Sequence, residues 1–66
     1  MPNEKLVGYI EAIGGRELAR RLGVDPAAVS QWKKGKRRVG PEMAKRLEDV
    51  SGGYLKRAEL RPDIFA

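Results

Sequence analysis

The residues with chemistry to offer are cations, and they are crowded. Residues 16–38 carry eight of them, Arg16, Arg20, Arg21, Lys33, Lys34, Lys36, Arg37 and Arg38, against two acids, Glu17 and Asp25. That segment is +6 in a chain of net charge +5, so the remainder sits at −1. Five of the bases fall in the six positions 33–38. Guanidinium and ammonium groups concentrated on a small chain match a polyanionic partner, nucleic acid foremost. The plain alternative is a solvated basic loop that serves solubility.

Other chemistries lack their parts. The 66 residues include no Cys and no His, which removes disulfide frameworks, thiolate and zinc sites, and His-dependent catalysis. The nine carboxylates are scattered, with no pattern of a buried acid–base pair. Gly14-Gly15 and Gly52-Gly53 read as helix stops rather than a nucleotide cradle. No enzyme, cofactor, metal or small-molecule substrate is expected. No apolar run approaches the ~20 residues that span a bilayer. The opening MPNEKLVGYI lacks a signal-peptide core, and no single long amphipathic helix backs the basic face as a membrane-surface binder needs. A cytoplasmic protein is the expectation.

The elements that must hold these cations are short. The length allows one domain, 1–66, with a thin core, since about 60% of the chain's surface is buried at this size. Residues 3–13 read as a first helix, capped by Asn3, with Leu6, Ile10 and Ile13 on one stripe and Val7 beside it. Gly14-Gly15 stops it. Residues 16–22 form a second helix, ended by Gly23. Asp25-Pro26 caps and starts a third, which runs to about Lys34 and closes at Gly35. Residues 36–40 are a basic loop. Gly40-Pro41 opens a fourth helix, PEMAKRLEDVS, with Met43, Leu47 and Val50 at helical spacing. Residues 54–60 suit one or two further turns. Arg61-Pro62 forces an extended step, after which Ile64 and Phe65 read as anchors returning to the core. Tyr54, Leu55, Leu60, Ile64 and Phe65 serve either as a lid or as part of a dimer surface. A β-hairpin after the third helix is disfavoured by Pro41 and by the helix formers of MAKRLED. The fold class is therefore all-α, a small bundle of four to five short helices.

Residues 15–34 carry the most specific pattern. Leu18, Ala19 and Leu22 on one helix face Val29 and Trp32 on the next. Ala19 must be small where the helices cross, Gly23 supplies an open backbone at the turn, and Val24 plugs the gap beneath it. This is the arithmetic of a helix-turn-helix. Trp32 reads as the seal between the two helices. The alternative, a stacking platform for single strands, lacks neighbouring aromatics.

The stretch GGRELARRLGVDPAAVSQWKKGKR resembles the helix-turn-helix of phage Cro-type repressors and of the related YdaS-like antitoxin group. The ending ELRPDIF is similar to the C-terminus of that group. Some members build the C-terminal half from helices and others from a sheet, and residues 41–51 resemble the helical branch. The resemblance implies a λ-repressor-like fold and a sequence-specific repressor of double-stranded DNA, a homodimer on a palindromic operator and weak off DNA, nucleoid-associated when bound. The alternative it implies is an antitoxin whose main partner is a toxin protein, with DNA autoregulation secondary.

By analogy with Cro proteins, the outward face of the third helix, Ala27, Ser30, Gln31 and Lys34, holds the base readers. Gln31 pairs bidentately with adenine, Ser30 donates or accepts, Ala27 meets a thymine methyl, and Lys34 reaches guanine or a phosphate. Phosphate contacts are expected from the Gly15 amide and Arg16 at the start of the second helix. Lys33, Lys36, Arg37, Arg38 and the Gly40 amide provide the others. Arg20 and Arg21 are weaker candidates because Glu17 stands within pairing distance on the same helix.

Overall fold

The computed structural model describes residues 3–65. Six helices follow one another: α1 Glu4–Ile13, α2 Gly15–Leu22, α3 Pro26–Lys34, α4 Pro41–Val50, α5 Arg57–Leu60 and α6 Pro62–Phe65. No strand occurs among the described residues, so the all-helical class holds.

Local chemistry sets the boundaries. Asn3 caps α1 by accepting from the Leu6 amide at 3.1 Å. Asp25 caps α3 by accepting from the Ala27 amide at 2.8 Å, with Pro26 at the first helical position. Both α2 and α3 end in a glycine in the left-handed region, Gly23 at φ 72° and Gly35 at φ 75°. Each glycine completes a Schellman closure. Val24 N donates to the Ala19 carbonyl and Gly23 N to that of Arg20, and Lys36 N and Gly35 N repeat this with Gln31 and Trp32.

The core joins four helices and two connecting segments. Leu6 and Ile10 come from α1, Leu18, Ala19 and Leu22 from α2, Val29 and Trp32 from α3, and Ala44 and Leu47 from α4. Val39 and Leu55 complete it from non-helical stretches. Ile13, Val24, Ala28, Met43, Val50, Leu60 and Phe65 are partly buried against it. Trp32 is 5% exposed, and its indole N–H meets no acceptor among the described residues. Its contribution is therefore packing. Arg46 on α4 donates to the Leu22 carbonyl at 2.9 Å, which ties α4 to the end of α2.

The C-terminal part departs from the sequence reading in three places. Residues 54–56 are not helical, and α5 covers only residues 57–60. Arg61 takes the expected non-helical step, φ −137° and ψ 69°, but Pro62 then starts one more turn because its fixed φ suits a helix start. Ile64 is no anchor: it is 46% exposed. Within that single turn Phe65 takes the inward side, between the Lys45 and Arg57 cations at 5.9 and 5.8 Å from its ring. Of the five tail apolars, Leu55 is core, Leu60 and Phe65 are partly buried, and Tyr54 and Ile64 face solvent.

Leu18 is fully buried in the α2–α3 seam. Leu18→Ala is expected to cost about 2–5 kcal/mol, much of the stability available to so small a domain. Ile64→Ala, at an exposed site, is expected to change stability by less than about 0.5 kcal/mol. Urea unfolding of both variants checks the contrast, and similar losses would contradict this core.

Candidate nucleic-acid interface

Seating Val29 and Trp32 inward leaves one side of α3 to solvent. Ala27, Ser30, Gln31 and Lys34 all lie exposed there. Among the described residues no hydrogen bond or ion pair engages the side chains of Ser30, Gln31 or Lys34. The face is small at Ala27 and Ser30, polar at Gln31 and cationic at Lys34. It is free to approach another surface without breaking an internal contact.

Two shallow depressions flank that face. One runs along the α1–α2 junction and α3, with Gly15, Arg16, Ser30 and Lys33 on its walls. The other lies between α3 and the start of α4, lined in part by Trp32, Arg37, Arg38 and Gly40. The expected phosphate ligands thus divide between the two sides of α3, with Lys36 exposed just beyond its C-terminus. The helix ends differ in the same sense. Side chains of Asn3 and Asp25 cap α1 and α3, whereas α2 and α4 begin at Gly14 and Gly40 with no side-chain cap. Their first amides have no side-chain cap, and each first turn carries one acid, Glu17 in α2 and Glu42 in α4.

Several cations have internal partners. Lys33 Nζ stands 3.6 Å from Glu11 Oε2, and Arg38 Nη2 stands 3.3 Å from Asp63 Oδ2. Arg20 and Arg21 both bond Glu17, through Nε atoms at 3.1 and 2.9 Å. Arg16, Lys34, Lys36 and Arg37 form no ion pair among the described residues. All these pairs are at the surface, where solvent screening makes ion pairs weak, so exchanging a carboxylate for a phosphate costs little. The helix-turn-helix residues Leu18, Ala19, Leu22, Val29 and Trp32 are buried, Val24 is half-buried, and Gly23 sits exposed at the turn.

Sequence reasoning missed the partners that shape this surface. Glu11 and Asp63 come from α1 and α6, and no local spacing links them to Lys33 or Arg38. Val39 lies within the basic loop 36–40, yet it is only 6% exposed. A lone branched residue amid cations was the available signal.

Comparison with known proteins gives a family and two relatives. The family described as bacterial toxin YdaS matches residues 6–66. The "Putative transcriptional regulator YdaS" of Escherichia coli (strain K12) is 43% identical over 53 residues, covering 79% of this chain and 54% of that protein. The "Regulatory protein cro" of Pseudomonas phage D3 is 41% identical over 46 residues, covering 70% of this chain and 63% of that protein. The chain spans between half and two thirds of the length of these curated relatives. No solved structure matches it significantly. Among the described residues no helix is long and apolar enough to cross a membrane.

The pairs predict a pH response. Hydrogen bonds from Arg20, then Arg21, hold the Glu17 carboxyl at about 2 instead of 4.5. The Arg61 hydrogen bonds hold Asp63 at about 2 instead of 3.8. Both values are depressed in the fold, so their contribution is complete above the unfolded values and is lost as pH falls toward about 2. The melting temperature is expected to be flat above about pH 5 and to decline below it. The double variant Glu17→Gln, Asp63→Asn should decline less steeply. Circular dichroism melts across pH check this, and coincident profiles would show that the pairs contribute nothing.

Proposed function

The chain belongs to the bacterial toxin YdaS family, and from that premise we propose that it is a DNA-binding transcriptional regulator of Cro type. Its single domain, 1–66, reads the major groove of double-stranded DNA with α3. The observation that carries this reading is the free outward face of α3, bordered on both sides by cations and uncapped helix starts. The names of the two relatives, a transcriptional regulator and a Cro protein, support a regulator rather than an enzyme.

The division of labour follows from reach and chemistry. Gln31 offers one donor and one acceptor to the adenine N6/N7 edge, Ser30 and Ala27 allow close approach, and Lys34 reaches guanine or the backbone. Gly15, Arg16 and Lys33 on one flank, with Lys36, Arg37, Arg38 and Gly40 on the other, bind phosphates of the two strands bordering the groove. Phosphate contacts fix register and supply salt-dependent affinity, and base contacts supply preference. The body measures 29 × 24 × 18 Å. Two copies therefore fit side by side on half-sites about 34 Å apart, one turn of the duplex. This supports a dimer on a palindromic operator, with little contact needed off DNA.

The family's description favours a second reading, in which a toxin connection and a protein partner are primary and DNA binding is autoregulatory. Co-purification with the chain of a small protein encoded beside it, undiminished by Gln31→Ala, would favour it.

In selections from a random duplex pool, Gln31→Ala is expected to relax preference at one base position per half-site, by about 1–3 kcal/mol. An unchanged base preference would remove Gln31 from the reading face. Arg37→Ala is expected to weaken all sequences alike and to lower the log–log salt slope by about 1. A loss confined to certain sequences would contradict its phosphate role.

A further inference from the structure

The closing segment ELRPDIF takes no part in the contacts assigned above, yet it touches the loop that provides several of them. It is strapped across the body. Asn3 Nδ2 donates to the Glu59 carbonyl at 3.2 Å and Lys5 Nζ to Glu59 Oε1 at 3.3 Å. Glu48 Oε1 accepts from the Arg57 amide at 3.0 Å and from its Nε at 2.7 Å. Arg61 carries the strap onward to residues 36–40. Its Nη1 donates to the Val39 carbonyl at 2.9 Å, and its Nε and Nη2 grip the Asp63 carboxylate at 3.0 and 2.8 Å. Asp63 in turn stands against Arg38.

The loop needs this support. Among the described residues, no backbone hydrogen bond is donated by residues 37–40, and only the Gly40 carbonyl accepts one. The Val39 side chain and the Arg61 bond to its carbonyl are what locate this backbone. The Arg61 side chain is 14% exposed, and its fork is occupied by internal acceptors, so it does not reach outward.

Resting on the DNA-binding reading, the geometry points to Arg61 as a positioning residue. It clamps Val39 from the C-terminal tail and so holds the loop that presents Arg37, Arg38 and the Gly40 amide. Only a planar fork bridges a carbonyl and both oxygens of a carboxylate. A lysine carries the same charge, but its three donors sit on one nitrogen and lack the fork's span. Ordering the loop before binding removes an entropy cost that a loose loop would bear on contact. Asp63 Oδ2 is shared between Arg61 Nη2 and Arg38 Nη2, and Arg38 exchanges it for phosphate while Arg61 retains its hold.

The test compares the full chain with Arg61→Lys, Arg61→Gln and Glu59→Gln. Each is titrated against a fluorescent mixed-sequence duplex of about 30 base pairs, long enough for two half-sites. Titrations span a salt series, and circular dichroism gives the folded fraction under the same conditions. Arg61→Lys is expected to bind about five- to tenfold more weakly near 0.1 M salt, with the log–log slope reduced by about 1. Arg61→Gln is expected to match it. Glu59→Gln removes the Lys5 ion pair and so weakens the strap away from the loop, and is expected to keep both values. A lower folded fraction lowers apparent affinity without changing the slope, so a wild-type slope in Arg61→Lys overturns the proposal. A slope lost in Arg61→Gln but kept in Arg61→Lys overturns it too, and makes Arg61 a direct phosphate contact. A wild-type chain with no salt-dependent binding sinks the DNA reading itself, and the clamp's purpose with it.

Discussion

The burial of Val29 and Trp32 against α1 and α2 is the constraint on which the rest of the surface depends. A nine-residue helix has few ways to hide a tryptophan and a β-branched residue together. Once both point inward, helical geometry leaves Ala27, Ser30, Gln31 and Lys34 on the outer side. The α2–α3 turn enforces the same orientation from the other end. Gly23 in the left-handed region closes α2 through the Ala19 and Arg20 carbonyls, and Asp25 caps α3 two residues on. Packing, turn and cap all demand one placement of α3, which is the agreement across levels that lets a small sequence specify one fold.

Electrostatics works as a second layer on that frame. The carboxylates spread through α1, α2 and α6 do not neutralise the central cations wholesale. They engage Lys33, Arg38, Arg20 and Arg21 and leave Arg16, Lys34, Lys36 and Arg37 without a carboxylate partner among the described residues. The paired group includes cations on both flanks of α3, and the unpaired group does too. A surface arranged this way keeps its positive potential while holding some of its side chains in place. The family and its regulator relatives fit that arrangement.

Much of the frame was legible in the sequence because local rules set it. Glycine and proline mark the ends of the first four helices, and the spacing of Leu6, Ile10, Leu18, Leu22, Val29 and Leu47 identifies the core stripes. The outer face of α3 follows by subtraction. The role given to that face came from resemblance, since spacing alone does not distinguish a reading helix from an ordinary exposed one. The parts that stayed illegible depend on contacts remote in sequence. Val39 is buried because the tail closes over it, and Ile64 is exposed because one extra turn after Pro62 rotates it outward. The bonds of Arg61 to Val39 and of Arg46 to Leu22 join residues 22 and 24 positions apart, and no periodicity encodes them.

Amide-by-amide NMR of the chain, titrated with a mixed-sequence DNA duplex at low salt, tests the central claim most directly. The account predicts shifts concentrated at residues 27–34, at Gly15 and Arg16, and at residues 36–40, fading as salt rises. Shifts centred instead on the exposed Tyr54 and Ile64, or none at any salt, would contradict it.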